Sequence, residues 1–459
     1  MTRKLAETLA ATTFDQLPHQ VVLDAERSVL DWLGAVIAGC CEPPARYAQA
    51  VAHRFGASDE ATIFGSGRGS VASAAFANGV SSHTIEVDDV HKLSTLHPAA
   101  PIIPAAYAVA EREHSSGRDF LLAVTLGYEA AIRIGEAVNP SHYRYWHPTG
   151  TAATFGSAVA AGSLMKLNAK QMSDALGSAG TQAAGLWEFN ADGTMSKTLH
   201  PGKAALNGVI AADLAREGFT GAGKILEGDR GFFNAMSTGA DESRITDRLG
   251  ELWKITENCY KLHFCCGHTH TAIDEAIRIG GEQGRTKKIA RVAVETYGPG
   301  LAIVKERNPR TPFQARFSLS YCIAAALLEG CVGLAQFSAD RFHPKGLVRP
   351  EIAELMSRID ITVADALTAA YPAAWPVRIA VLYEDGTVVK GAADYPKGNP
   401  ENPVTNEELA AKFMALVKPR IGETAGGKTL KAIRSVVNCD DMSTLLQGIP
   451  LVFVSGKES

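Results

Sequence analysis

Along most of the first 260 residues, apolar side chains recur every three to four positions. LAETLAATTFDQLP, HQVVLDAERSVLDWLGAVIAG, GRDFLLAVTLGYEAAIRIGEAV, TAATFGSAVAAGSLMKL and AKQMSDALGSAGTQAAGL all carry this spacing, which predicts helices. The last two are rich in Ala, Gly and Ser, so their helices can approach one another closely. Asn168 and Ser173 read as helix starts, and glycines close several segments. From about residue 285 the period changes. KKIARVAVETYG and RIDITVAD alternate as strands do, and PVRIAVLYEDGTVVKGAADYP holds Asp385-Gly386 between two apolar runs, a hairpin signal. FQARFSLSYCIAAALLEG reads as a helix, a polar turn is expected at Asp340–Pro344, and the chain is helical again from NEELAAKFMALVKPRI. The pattern predicts a mainly α protein. A large all-helical domain is made from both chain ends, 1–268 and 402–459, and a smaller α+β domain, 269–401, is inserted.

Composition narrows this picture. The 459 residues are 46% hydrophobic but only 7% aromatic, so the core is aliphatic, and no internal repeat or low-complexity segment appears. A net charge of −4 offers no basic surface for nucleic acid. No apolar run reaches the roughly 18 residues of a membrane span, and the N-terminal MTRKLAETLAATTF lacks the apolar stretch of a signal peptide. A cytoplasmic location is expected, with the eight cysteines reduced.

Three motifs mislead. GETAGGKT at 422–429 matches the phosphate-loop pattern letter for letter, but a helix rather than a strand precedes it; a flexible helix-to-helix connection is expected. FGSGRGS at 64–70 has the glycines of a dinucleotide turn without their spacing, and reads as a turn. HFCCGHTH at 263–270 invites a zinc reading, yet adjacent Cys265 and Cys266 cannot easily face one ion. No metal and no cofactor are expected.

Four segments remain in which titratable residues edge small-residue helices. The first, HTIEVDDVHKLSTLHPAAPIIP, lies between AFANGVSS and AAYAVAE and holds His83, Glu86, Asp88, Asp89, His91 and His97. The others are SHYRYWHPTGTAATFG with Tyr143, Arg144, Tyr145 and His147, WEFNADGTMSKTLHPGKAALNG with Lys197, His200 and Lys203, and HFCCGHTHTAIDEA with His268 and His270. Such groups suit general acid–base chemistry, and the cations suit an anionic carboxylate substrate. Nearby cations would stabilise enolate-like charge at carbon. His97-Pro98 and His147-Pro148 each precede an apolar run, so each imidazole is expected at a helix N-terminus, where the neutral form is favoured. Asp88 and Asp89 serve either the site or a helix cap. Lys197 is the stronger catalytic candidate, whereas Lys203 is either solvated or binds a substrate carboxylate.

These segments, taken in order with KLHFCCGHTHTAID and RFSLSYCIAAALLEG, resemble the MmgE/PrpD family over essentially the whole chain. That family includes 2-methylcitrate dehydratase, cis-aconitate decarboxylase and iminodisuccinate epimerase. The resemblance implies a helical domain, an α+β lid, an active site between them and a homodimer. It carries site roles to His97, His147, Lys197, His270 and Tyr321, with Arg316 and His268 from the same motifs. A catalytic set of Lys197, Tyr145, His97 and His147 follows. Glu86, Asp88, Asp89, Lys203, His268, His270, Arg316 and Tyr321 are assigned to a small polycarboxylate substrate. Where the dehydratase and decarboxylase patterns read Asp-Phe-Asp-Asp-Thr, this chain reads Glu86-Val87-Asp88-Asp89-Val90, and the segment before His97 is one residue longer. On these departures the first expectation is an epimerase of the iminodisuccinate type, with Lys197 and Tyr145 on opposite faces of the carbon. A 2-methylcitrate-type dehydratase comes next, then a cis-aconitate-type decarboxylase, then a carboxylate-binding protein without turnover.

Overall fold

A computed structural model describes residues 1–343, 346–347 and 349–451. It is mainly α. Its contacts divide the chain into two compact units. The first comprises Met1–Thr84, Asp88–Asn258 and Thr405–Ser459, and the second Ile85–Val87 and Cys259–Val404. Among the described residues, no helix is long and apolar enough to cross a membrane.

The first unit is helical. Its chain runs through α1 (Thr2–Ala11), α2 (His19–Gly39), α3 (Pro43–His53), α4 (Val71–His83), α5 (Ala99–Arg112), α6 (Gly117–Val138), α7 (Ala152–Leu164) and α8 (Ala169–Gly180). A short α9 (Phe189–Asp192) leads to α10 (Ser196–Arg216). Helices α4, α5 and α7 are buried along nearly their whole length, which is why their sequences show so little polar face. Small residues set the spacing. A Cβ on Gly79 of α4 would stand 2.8 Å from the Gly202 Cα of α10, and a Cβ on Gly156 of α7 would stand 2.5 Å from the Gly127 carbonyl oxygen of α6. Only glycine permits these backbones to cross so closely, and the first crossing brings the end of α4 against the start of α10.

Asn168 caps α8 with a reciprocal bond to Gln171, as expected. Ser173 instead lies buried inside α8, because Asn168 already supplies the start. FGSGRGS is a turn, joining the two short antiparallel strands β1 (Ala61–Ile63) and β2 (Gly67–Gly69). The last long helix, Asn406–Ile433, packs on α2 and buries the Lys412–Asp31 pair at 2.5 Å. GETAGGKT begins at the kink between two helical segments, Gly422 with φ of 77°, so the expected helix-to-helix junction is there but is confined to that residue, and 423–429 are helical rather than a flexible connection.

The second unit is built on a four-stranded sheet of β3 (Ile289–Thr296), β4 (Ile359–Val363), β5 (Val377–Tyr383) and β6 (Val388–Ala393), in the order β4-β3-β5-β6. β3 runs parallel to β4 and antiparallel to β5, and β5–β6 is the hairpin around Asp385-Gly386. β3 and β5 bury alternate residues, and helix His270–Gln283 packs on β5, β6 and helix Leu319–Glu329. The polar turn begins as a single turn of tight helix at Ala339–Arg341, and Pro344 lies outside the described residues.

Candidate active site

In the first unit, the Gly79–Gly202 crossing converges four histidines. His83 closes α4, His97 precedes α5, His147 follows the turn after α6, and His200 lies on the first turns of α10. The His83 and His97 ring centroids are 4.7 Å apart, and His147 lies 5.9 Å from His83, 6.1 Å from His97 and 5.3 Å from His200. All four are buried. Trp187 and Phe189 pack against His147 with centroids at 5.0 and 6.1 Å, making an apolar wall.

The rings are fixed by shared partners. His83 Nδ1 lies 2.8 Å from Asp88 Oδ2, and His97 Nδ1 lies 3.5 Å from the same oxygen. His97 Nδ1–H donates to the Asp89 carbonyl at 2.7 Å, and the His97 amide donates to Thr149 Oγ1 at 3.0 Å. His147 is placed by its amide, which donates to the Gly185 carbonyl at 2.9 Å, and its Nδ1 meets His200 Nδ1 at 3.1 Å. Two imidazole nitrogens at that distance must share one proton. Burial pushes the His147 imidazole well below the usual range, with His200, Lys197, His83 and His97 adding to the effect. Burial, with His83, Lys203 and Lys197, brings His200 down to about 3. Both rings are therefore neutral at neutral pH, fit to exchange a proton rather than to hold a charge. His97 stands where the His-Pro reading puts it, directly before α5. His147 does not, since α7 starts five residues later, and its neutrality comes from burial and positive neighbours rather than from a helix end.

Lys197 is buried at the first turn of α10, and its charge is among those acting on both His147 and His200. Lys203 Nζ donates to the Gln182 carbonyl at 3.0 Å, and burial brings its ammonium down to about 8. Asp89 has protein partners on both oxygens. Oδ1 accepts the Ala99 amide at 3.0 Å, and Oδ2 accepts Tyr128 Oη at 2.6 Å and Asn258 Nδ2 at 2.7 Å. The cap reading thus describes Asp89, whereas Asp88 belongs to the histidines. Burial raises the Asp89 carboxyl to about 7. Tyr145 is not gathered with these groups: it is 57% exposed, with the Arg144 guanidinium 5.1 Å from its ring centroid.

The second unit holds its own buried polar groups. Glu86 has φ of 59°, and its carboxylate pairs with Lys261 at 3.3 Å while Lys261 Nζ also donates to the Glu86 carbonyl at 3.2 Å. His268 Nδ1 bonds Tyr297 Oη at 2.7 Å, and its ring packs 4.5 Å from that of Trp375. His270 Nε2 lies 3.3 Å from the Cys265 carbonyl, beside His263, which pairs with Asp274 at 2.7 Å. Tyr321 donates to the Gln336 carbonyl, and burial raises its phenol. The Arg316 guanidinium lies 5.4 Å from the Phe337 ring centroid.

Three residues outside the assigned set belong to these clusters. His83 was visible five residues before Asp88, His200 three residues after Lys197, and Lys261 within KLHFCCGH. None sits in a spacing that by itself signals a site.

Residues 3–244 match the MmgE/PrpD N-terminal domain, and residues 263–437 match the MmgE/PrpD C-terminal domain. The chain belongs to the MmgE/PrpD family. It is similar to the cis-aconitate decarboxylase of Aspergillus terreus, at 27% identity over 94% of this chain and 92% of that protein. The human cis-aconitate decarboxylase is 26% identical over 98% of this chain and 95% of its own length. The cis-aconitate decarboxylase-like protein oryM of Aspergillus oryzae is 26% identical over 97% and 96%. These relatives are named for a decarboxylation and lend no support to the iminodisuccinate epimerase expectation.

Proposed function

We propose that the chain is a lyase acting on a small tricarboxylate, and that its first reading is decarboxylation of a cis-aconitate-type substrate. The observation that carries this is the buried His147–His200 pair beside Lys197, His97 and the Asp88-held His83, in a family whose similar relatives are named for that reaction. The bond from carbon to the departing carboxylate breaks, and its electron pair stays on that carbon. A second carboxylate conjugated to it spreads the charge. Lys197 is the cation placed to stabilise that charge, and a neighbouring acid returns a proton to carbon as carbon dioxide leaves. No cofactor is needed for these steps. Lys203 is a candidate contact for a remaining carboxylate, and Tyr145 has no step in this reading. A homodimer is the working assembly.

The test is proton NMR in heavy water with purified protein and cis-aconitate, citrate, 2-methylcitrate and the iminodisuccinate stereoisomers, with carbon dioxide measured in parallel. Carbon dioxide release with one deuterium on the product carbon is expected for cis-aconitate, and it should be lost in Lys197→Met with the fold intact. New vinylic signals without carbon dioxide would replace this reading by a dehydratase. Deuterium entering an intact skeleton would restore the epimerase.

A further inference from the structure

One nitrogen from each of His83, His97 and His147 lies within 4.8 Å of the other two, and all three rings are buried. A tetrahedral ion with metal–nitrogen bonds of about 2.0–2.1 Å holds its ligand nitrogens roughly 3.4 Å apart. Side-chain rotations closing the triad by at most about 1.4 Å would therefore satisfy a metal centre. The tautomers already suit it. His97 gives its Nδ1 proton to the Asp89 carbonyl, which leaves a lone pair on Nε2. His83 is held by the Asp88 carboxylate in the same sense. A carboxylate or carbonyl behind each imidazole is the outer-shell arrangement that orients histidine toward a metal and raises its basicity. The third ring, His147, is buried, with its centroid 5.9 Å from that of His83 and 6.1 Å from that of His97. Asp88 reaches two of the three rings and brings negative charge to the cluster.

We propose that His83, His97 and His147 bind one borderline divalent ion, with Zn²⁺ the type, and that the ion is an inhibitor rather than a cofactor. The inhibitory part rests on the proposed function, since an ion seated there occupies the imidazoles that chemistry would use. The binding part does not. Among the described residues, a second group with metal-like composition, His91, Glu136 and Glu257, makes a useful contrast. There Lys254 Nζ already stands 3.0 Å from Glu136 and 3.2 Å from Glu257, so an ammonium neutralises the pair. In the histidine triad the nearby cation is Lys197, whose charge opposes an incoming ion. Removing that charge should tighten metal binding while it removes turnover, an opposition that a general loss of structure would not produce.

The experiment titrates the whole purified chain with Co²⁺, followed by visible ligand-field absorption, and with Zn²⁺ by calorimetry, both without substrate. One ion per chain is expected. Affinity should fall about tenfold or more in His83→Ala and His97→Gln, and comparably in Asp88→Asn, which leaves all three ligands in place. It should hold in His114→Ala, a control at an exposed histidine paired with Asp441, and rise in Lys197→Met. A circular-dichroism melt of each variant confirms its fold, and Asp88→Asn and His97→Gln carry the test if His83→Ala does not fold. Absence of binding below about 1 mM, far weaker than buried histidine ligands would give, overturns the proposal. So does affinity that the His97 and Asp88 substitutions leave unchanged. Turnover is measured separately, so a failed decarboxylase reading and a failed metal site give different results.

Discussion

Replacing His200 by Gln should flatten the acid sensitivity of the protein. In the fold this imidazole is brought down to about 3 from an ordinary 6.5, chiefly by burial. A depressed histidine pKa contributes stability that is fully present above the unfolded value and is lost as pH falls toward the folded one. At about pH 5 the unfolded imidazole is almost fully protonated and the folded one almost fully neutral. The difference is about 1.5 pH units of proton binding, or about 2 kcal/mol relative to pH 8. Gln carries no titrating proton and can still offer His147 Nδ1 a donor or an acceptor. Removing His200 also relieves one of the effects that lower His147, so the two histidines move in the same direction. The assay is urea unfolding followed by circular dichroism at pH 8 and pH 5, on parent and variant. The apparent stability lost between these values should be smaller by about 1–2 kcal/mol in His200→Gln. Direct observation of the parent His200 ring by NMR should show it neutral at pH 5. Equal acid sensitivity in the two proteins, or a ring that titrates near 6.5, would refute the neutral pair on which the mechanism rests.

Two further outcomes follow from named contacts. Asp89 has its folded pKa raised to about 7, so its contribution runs the opposite way: stability is highest below about 4 and is lost as pH rises to about 7, by on the order of 4 kcal/mol. Asp89→Asn should remove that loss while keeping the fold, because Asn258 can turn its amide and offer its unpartnered Oδ1 to the new donor; an unchanged slope between pH 4 and 7 would contradict this. Lys261→Met leaves Glu86 buried without its cation and should cost about 3–5 kcal/mol, seen as a lowered melting temperature, whereas Lys261→Met with Glu86→Gln should recover much of it; a single variant as stable as the parent would show that the pair is not formed.

What could be read from the sequence was what short-range physics controls. Alternation gave the strands of KKIARVAVETYG and RIDITVAD, Asp385-Gly386 gave the β5–β6 hairpin, and Asn168 with Gln171 gave the start of α8. Letter patterns say little without their backbone context. GETAGGKT is helix, and the break lies at Gly422 alone. The site was legible as residue types but not as partnerships. Nothing local says that Lys261 meets Glu86 across 175 positions, or that Asp89 would be consumed by Ala99, Tyr128 and Asn258 while its neighbour Asp88 serves the histidines. Tyr145 shows the same limit, since a tyrosine two residues from a buried histidine can still face solvent.

The departures at Glu86 and Val90 can now be weighed by what surrounds them. A carboxylate one methylene longer than Asp would matter most if it faced substrate directly, because it would then repel a polycarboxylate or displace it. Glu86 instead spends its charge on Lys261 at 3.3 Å, with both side chains almost fully buried. The pair is close to neutral, and Lys261 bonds both the carboxylate and the carbonyl of Glu86, whose φ is 59°. Val90 is buried, and a side chain without polar atoms there leaves no donor or acceptor to satisfy. Neither change removes a cation or an acid–base group from the histidine cluster. Of the departures on which the sequence favoured an epimerase, the one at Glu86 is thus a rearrangement of charge within one buried pair. In the proposed reading the groups that move a proton at carbon are Lys197, His97 and the His147–His200 pair, and neither departure alters the contacts that hold them.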